Sequence, residues 1–70
     1  MNIASLDLRQ AVLHNMHGSS ESDVRHTITD AITSGEEKML PGLGVLLEVF
    51  WKNSSAEEQK RFIDIVQQNV

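Results

Sequence analysis

Cysteine is absent from this chain, so it can contain neither a disulfide framework nor a thiolate metal site. Long apolar runs are missing too, because the longest, Met39 to Leu47, is far shorter than the roughly 20 residues that cross a bilayer. Met1 is followed by an acid at Asp7 before any basic residue, so we expect no cleaved secretory signal. Disulfide-stapled and membrane-spanning classes are thereby excluded, and no membrane partner is predicted.

Basic residues are few and scattered. Six of them against ten acidic residues leave a net charge of -4, the wrong sign for attraction to nucleic-acid phosphates or an anionic membrane. They are Arg9, Arg25, Lys38, Lys52, Lys60 and Arg61. The net charge therefore does not indicate that the chain binds nucleic acid. A nucleic-acid-binding module is kept as the alternative, and it would need Arg9, Arg25, Lys60 and Arg61 on one folded face.

The most apolar stretch, Pro41 to Trp51, predicts a central helix. Four of its residues, at i, i+3, i+4 and i+7, form an apolar stripe: Leu43, Leu46, Leu47 and Phe50. Val45 and Val49 widen that stripe. A helix that is apolar nearly all round is normally covered by its neighbours, so the other segments should pack on it. The residue before a proline avoids the helical region, which predicts that the helix begins at Pro41. Gly42 and Gly44 indicate a close approach by another helix, because each glycine inside a helix costs roughly 1 kcal/mol.

Three further helices are predicted around this one. Helix one spans Ser5 to His17 and ends at Gly18, helix two spans Glu21 to Ser34 and ends at Gly35, and helix four spans Ala56 to Gln68. Their apolar stripes are Leu6, Leu8, Ala11, Val12, Leu13 and Met16, then Val24, Ile28, Ala31 and Ile32, then Phe62, Ile63, Ile65 and Val66. Ser55 and Glu58 form a capping box, and Glu21–Arg25 and Glu57–Arg61 are spaced as ion pairs. We predict one all-α domain over residues 1–70. A strand from Leu43 to Phe50 would have no second strand to pair with.

The sequence offers no recognisable reaction site. His14 and His17 could supply two metal ligands, but no third is indicated, so we interpret them as exposed imidazoles. Gly42-Leu43-Gly44 lacks the remaining residues of a phosphate-binding motif. Glu48 lies on an apolar helix, but Lys52 at i+4 offers it an ordinary surface pair. We therefore predict no catalytic, cofactor-binding or metal-binding residues, no cofactor, no small-molecule substrate and no enzyme activity.

The central helix carries more apolar surface than three short amphipathic neighbours are expected to cover. Exposed apolar patches on small domains commonly mark protein contacts, and aromatic residues are favoured anchors in them. We therefore predict a homodimer whose contact includes Val45, Val49 and Trp51. The alternative is that all three residues are internal core.

Several stretches of the chain together form a pattern that is typical of one protein family. They are Leu8-Arg9-Gln10-Ala11-Val12, His26-Thr27-Ile28, Asp30-Ala31-Ile32, Ser34-Gly35-Glu36-Glu37-Lys38, Leu40-Pro41-Gly42-Leu43-Gly44-Val45-Leu46, Glu48-Val49 and Trp51. These stretches resemble the small, acid-soluble spore protein I family of endospore-forming bacteria. The resemblance implies synthesis in the forespore during sporulation, residence in the spore core (the forespore cytoplasm), and a minor, non-enzymatic spore protein of undefined activity. It implies no catalytic residues. The sequence motifs and basic character of the DNA-coating alpha/beta-type spore proteins are not seen here.

Overall fold

The computed structural model describes the backbone of residues 3–70 and the side chains of residues 8–70. Four helices follow one another along the chain: α1 (Ile3–Met16), α2 (Glu21–Ser34), α3 (Leu40–Asn53) and α4 (Ala56–Gln68), with a 3₁₀ turn at Glu37–Met39 before α3. The described residues include no strand. The predicted all-α class is therefore confirmed, and the helix ends fall close to their predicted positions. The predicted core side chain of Leu6 lies outside the described side chains.

The helix ends are set by serines and glycines. Ser20 and Ser55 each accept a hydrogen bond from a backbone N–H three residues later, and the carboxylates of Asp23 and Glu58 accept from the serine N–H in return. These are reciprocal capping boxes, of which only the one at Ser55 was expected. Gly18 and Gly35 have φ of 77° and 64°, the left-handed region that favours glycine. Both glycines therefore end their helices as predicted.

The start of α3 differs from the prediction. Leu40 is helical, with φ -60° and ψ -42°, although it precedes Pro41. The 3₁₀ turn is the reason, because Met39 N–H donates to Glu36 O over 3.0 Å and Leu40 N–H donates to Glu37 O. The chain is thus already helical before Pro41. Pro41 lies in the first turn of α3, where a backbone N–H has no partner within the helix, so the missing N–H of proline costs no hydrogen bond.

Helix α3 is the centre of the packing, as predicted. Helix α1, α2 and the 3₁₀ turn all pack on it, and α4 contacts it through Phe62. The predicted close approach at Gly44 is wrong, because a Cβ there would meet nothing within 4 Å. Gly44 instead lines a notch of about 240 Å³ that the long side chains of Arg9 and Glu48 also line. At Gly42, where the approach was also predicted, an added Cβ would lie 4.0 Å from Val12 Cγ2 of α1, which is an ordinary van der Waals distance.

Very little of the chain is fully covered. Among the described side chains, Val45 alone is buried, at 6% exposure. Ile32, expected in the stripe of α2, is 66% exposed, whereas the neighbouring Ala31 lines the groove towards α3. The radius of gyration is 13.3 Å, whereas a compact domain of this length has about 11 Å. The helices therefore surround α3 loosely and leave grooves between them.

Candidate functional site

A groove of about 640 Å³ lies between α1, α2 and α3. Its apolar wall includes Val12, Met16 and Leu43, and its polar wall includes Asp23 and Asp30 from α2. The Asp23 carboxylate already accepts the Ser20 N–H in the capping box. Among the described residues, no histidine, lysine or arginine lines the groove. It has the volume of a ligand pocket, and Asn15, Ser19 and Thr27 line it in addition to the two aspartates.

Among the side chains that the structure describes, the two ionisable groups with perturbed pKa values belong to one ion pair. Arg9 of α1 donates from Nε to Glu48 Oε1 over 2.8 Å and from Nη2 to Glu48 Oε2 over 2.9 Å. These hydrogen bonds lower the pKa of Glu48, to which the charges of Arg9 and Lys52 also contribute, and they raise the pKa of Arg9. The expected pairing of Glu48 with Lys52 is thus replaced by a bidentate bridge between helices. Each charge is satisfied by the other, which indicates a structural role.

No sequence pattern predicts this bridge, because 39 residues separate its partners. The expected pairs Glu21–Arg25 and Glu57–Arg61 are also not formed, and Lys60 bonds Asp64 over 2.9 Å instead. Exposed pairs gain little over solvation and pay side-chain entropy, so spacing alone does not select among them.

The histidines and the other acids form no metal centre within the described part of the chain. His14 lies in the last turn of α1, and His17 lies just beyond the helix, where its N–H donates to His14 O over 3.2 Å. Across residues that the structure describes, no three of His, Asp or Glu come close enough to hold a metal ion.

The basic residues are divided among five segments, the four helices and the 3₁₀ turn. Arg9 bonds Glu48, Lys38 bonds Glu36 over 3.1 Å, and Lys60 bonds Asp64. Arg25, Lys52 and Arg61 lie on α2, α3 and α4 respectively. Of the four residues that a nucleic-acid face would need, Arg9 and Lys60 are thus already paired with carboxylates of the chain itself.

The aromatic side chains meet where α4 returns to α3. The ring centroids of Phe50 and Phe62 are 5.9 Å apart, and Trp51 lies edge-on to Phe62 at 6.4 Å. Gln59 Nε2 donates to Trp51 O over 2.9 Å and holds the two helices together at this end. Leu47, Phe50 and Trp51 share one side of α3, because they are spaced i, i+3 and i+4.

Together these side chains form an apolar surface that remains open to solvent. The α3–α4 apolar surface, as we call it, consists of Leu47, Phe50 and Trp51 from α3 with Phe62, Ile65 and Val66 from α4. Five of the six are exposed, from Trp51 at 39% to Ile65 at 57%, and Phe62 is partly covered. The role of Phe62 was missed by sequence reasoning, which treated its stripe as core.

The structure separates the three residues expected at a dimer contact. Val45 is the buried core residue, so its place in a surface contact is a correction: it lies beside Leu8 and Arg9 of α1. Val49 is 42% exposed, but residues two apart on a helix lie about 200° apart, so Val49 and Trp51 are on opposite sides of α3. Trp51 alone lies on the α3–α4 apolar surface. Its part in self-association, like that of Val49, stays a prediction.

Among the described helices, none combines the length and apolarity needed to span a bilayer. Fold and surface together define a small, acidic all-α protein with an exposed apolar patch.

Comparison with known proteins gives the family. The sequence profile of "Small, acid-soluble spore protein I" matches residues 6–70. A protein of that name from Halalkalibacterium halodurans is 50% identical over 66 residues, which are 94% of this chain and 97% of the relative. Its counterpart from Bacillus cereus strain G9842 is 52% identical over 66 residues, 94% and 96% of the two chains, and that from Bacillus licheniformis is 48% identical over 65 residues, 93% of each. The chain therefore belongs to the small, acid-soluble spore protein I family, and the expected resemblance is confirmed. No solved structure matches it.

Proposed function

We propose that this chain is a non-enzymatic protein of the spore core, made in the forespore, that acts through non-covalent contacts of its surface. The observation that carries the proposal is family membership over nearly the whole chain, with relatives named as spore proteins. The described side chains are consistent with it. Catalytic groups often have a shifted pKa, and the shifted pKa values among the described residues belong to the mutually satisfied Arg9–Glu48 bridge.

The proposal also favours contacts with protein over contacts with DNA. A net charge of -4 opposes approach to a phosphate backbone, and three of the six basic side chains neutralise acids of the chain. The α3–α4 apolar surface, which includes Trp51, is the kind of surface by which small proteins bind other proteins.

Fractionation of spores tests the proposed location. The chain would be produced in a sporulating Bacillus host from a promoter active in the forespore, and purified spores would be stripped of their coats before the core is broken open. We expect the chain to stay with stripped spores and to be released only with core contents. Recovery in the coat extract would contradict residence in the core.

Duplex-DNA retention tests the alternative. Because counterion release makes phosphate binding salt-dependent, a DNA-binding protein would be retained at low salt and lost steeply as salt rises. We expect the purified chain to pass through immobilised duplex DNA even at low salt. Salt-dependent retention that weakens in Arg25→Gln or Arg61→Gln would support the nucleic-acid alternative instead.

A further inference from the structure

The exposed apolar residues of the chain concentrate on its last two helices. Leu47, Phe50 and Trp51 lie on one side of α3, and Ile65 and Val66 extend that surface onto α4 on either side of Phe62. We propose that the α3–α4 apolar surface is where two copies of this chain associate, each presenting the same surface to the other. This dimer does not depend on the proposed location in the spore.

The first argument is the area left uncovered. The single chain exposes 5914 Å², whereas a compact monomer of 7.8 kDa exposes about 4,400 Å². The excess of roughly 1,500 Å² is larger than the 800 Å² or so that each partner buries in a standard interface. A second copy seated on the α3–α4 apolar surface, with an interface of that standard size, would therefore remove about half of the excess exposed area.

The second argument is the distribution of charge. Residues 1–39 carry six acidic and three basic side chains, a net charge of -3, whereas residues 40–70 carry four acidic and three basic ones, a net charge of -1. Two identical chains repel least where the local charge is balanced. The half of the molecule that contains α3 and α4 is therefore the half through which two acidic copies can meet.

The third argument is the shape of the surface beside Trp51. Leu47, Trp51 and Phe62 line an apolar notch of about 310 Å³ whose rim carries Glu48 and Lys52. A tryptophan in an apolar notch with charged groups at the edge has the composition of an interface hot spot. In a two-fold arrangement, each notch receives apolar side chains from α4 of the other copy, and the same contact is made twice.

Sedimentation of matched variants tests the proposal. Ile65→Lys places a charge on the α3–α4 apolar surface, and Ile32→Lys makes the same change on α2, at a residue that is also exposed and also helical. Trp51, the single tryptophan, reports on the same surface by fluorescence. Each full-length chain would be measured from low to high micromolar concentration, with helix content followed by circular dichroism.

We expect the wild type and Ile32→Lys to sediment at twice 7.8 kDa at high concentration, with Trp51 emission moving to shorter wavelength as they associate. Ile65→Lys should remain at the mass of one chain. If it instead loses helix where Ile32→Lys keeps it, Ile65 is packed within the fold of the single chain and the proposal is overturned. A wild type that stays monomeric, or an Ile65→Lys that dimerises as well as Ile32→Lys does, overturns the proposal.

Discussion

At the residue scale, the contacts that sequence spacing cannot reveal are those between distant side chains. Glu48 has Lys52 one turn away, yet its hydrogen bonds go to Arg9 on another helix. The planar guanidinium meets both carboxylate oxygens at once, which a lysine ammonium cannot do. The bridge ties α1 to α3 beside the buried Val45, so it should matter to the fold rather than to any reaction.

Neutralising Glu48 should weaken the fold in a pH-dependent way. The pKa of Glu48 is lowered from 4.5 in the folded chain, chiefly by its hydrogen bonds to Arg9, so folding is favoured while the carboxylate is charged. This stabilisation is fully present above about pH 4.5 and is lost as the pH falls through the lower, folded pKa. We expect Glu48→Gln to lower Tm at neutral pH and to leave Tm less sensitive to acid.

Thermal unfolding across this pH range is the measurement, with Asp30→Asn as the control because Asp30 is an exposed carboxylate outside the described ion pairs. A Glu48→Gln variant whose Tm follows that of the wild type at every pH would show that the bridge contributes nothing.

Two glycines should respond to alanine with opposite signs. Gly44→Ala places a methyl group in open space inside a helix, so we expect a gain of about 0.5–1 kcal/mol in the free energy of unfolding. Gly35→Ala forces an alanine to φ 64°, which should cost roughly 1–2 kcal/mol. Urea unfolding of the two variants would give both values. If Gly44→Ala instead destabilised the fold, that result would support the close helix approach predicted from the sequence.

The contrast between Val45 and Val49 separates core from surface. Val45 is buried and Val49 is 42% exposed on the same helix. Removing two buried methyl groups costs about 0.8 kcal/mol each before any cavity term. We therefore expect Val45→Ala to lose roughly 1.5–2.5 kcal/mol and Val49→Ala less than half as much, measured by urea unfolding at low protein concentration. Equal losses would place Val49 in the core as well.

At the scale of the helices, most helix ends could be predicted from the sequence, because the residues that set a helix end act within one turn. Serines at the starts of α2 and α4 and left-handed glycines after α1 and α2 mark boundaries that depend on neighbours three or four residues away. The start of α3 was misjudged by one residue because the 3₁₀ turn before it has no comparable signature. The packing of α4 on α3, by contrast, depends on the contacts of Phe62 with Phe50 and Trp51. These are tertiary contacts, which the local sequence does not predict.

Removing a capping serine should destabilise the fold, whereas removing its helical neighbour should not. Ser20 caps α2, and Ser22 lies inside the first turn of the same helix. We expect Ser20→Ala to cost about 1 kcal/mol, which lowers Tm by roughly 4–8 °C in a domain of this size. Ser22→Ala should leave Tm unchanged or raise it, since alanine is the best helix former. Calorimetry of both variants makes the comparison, and equal Tm values would mean that the cap is unimportant.

At the scale of the whole molecule, the fold class and the central place of α3 could be predicted, but the degree of burial could not. A periodic stripe says which side of a helix prefers to be covered, and it does not say whether the chain is long enough to cover it. The stripe of α4 illustrates this, because Ile65 and Val66 lie on its apolar side and are nevertheless exposed. This exposed side belongs to the α3–α4 apolar surface, through which we propose that two copies of the chain associate.

Small-angle X-ray scattering of the full-length chain tests this account most directly, because it reports mass and size together. We expect a radius of gyration near 13.3 Å for the single chain at low concentration, and a mass approaching twice 7.8 kDa with a larger radius as concentration rises. A mass of one chain at every concentration, with a radius near the 11 Å or so of a compact monomer, would mean that the apolar side chains fill an internal core. That result would contradict both the open packing around α3 and the association of two copies.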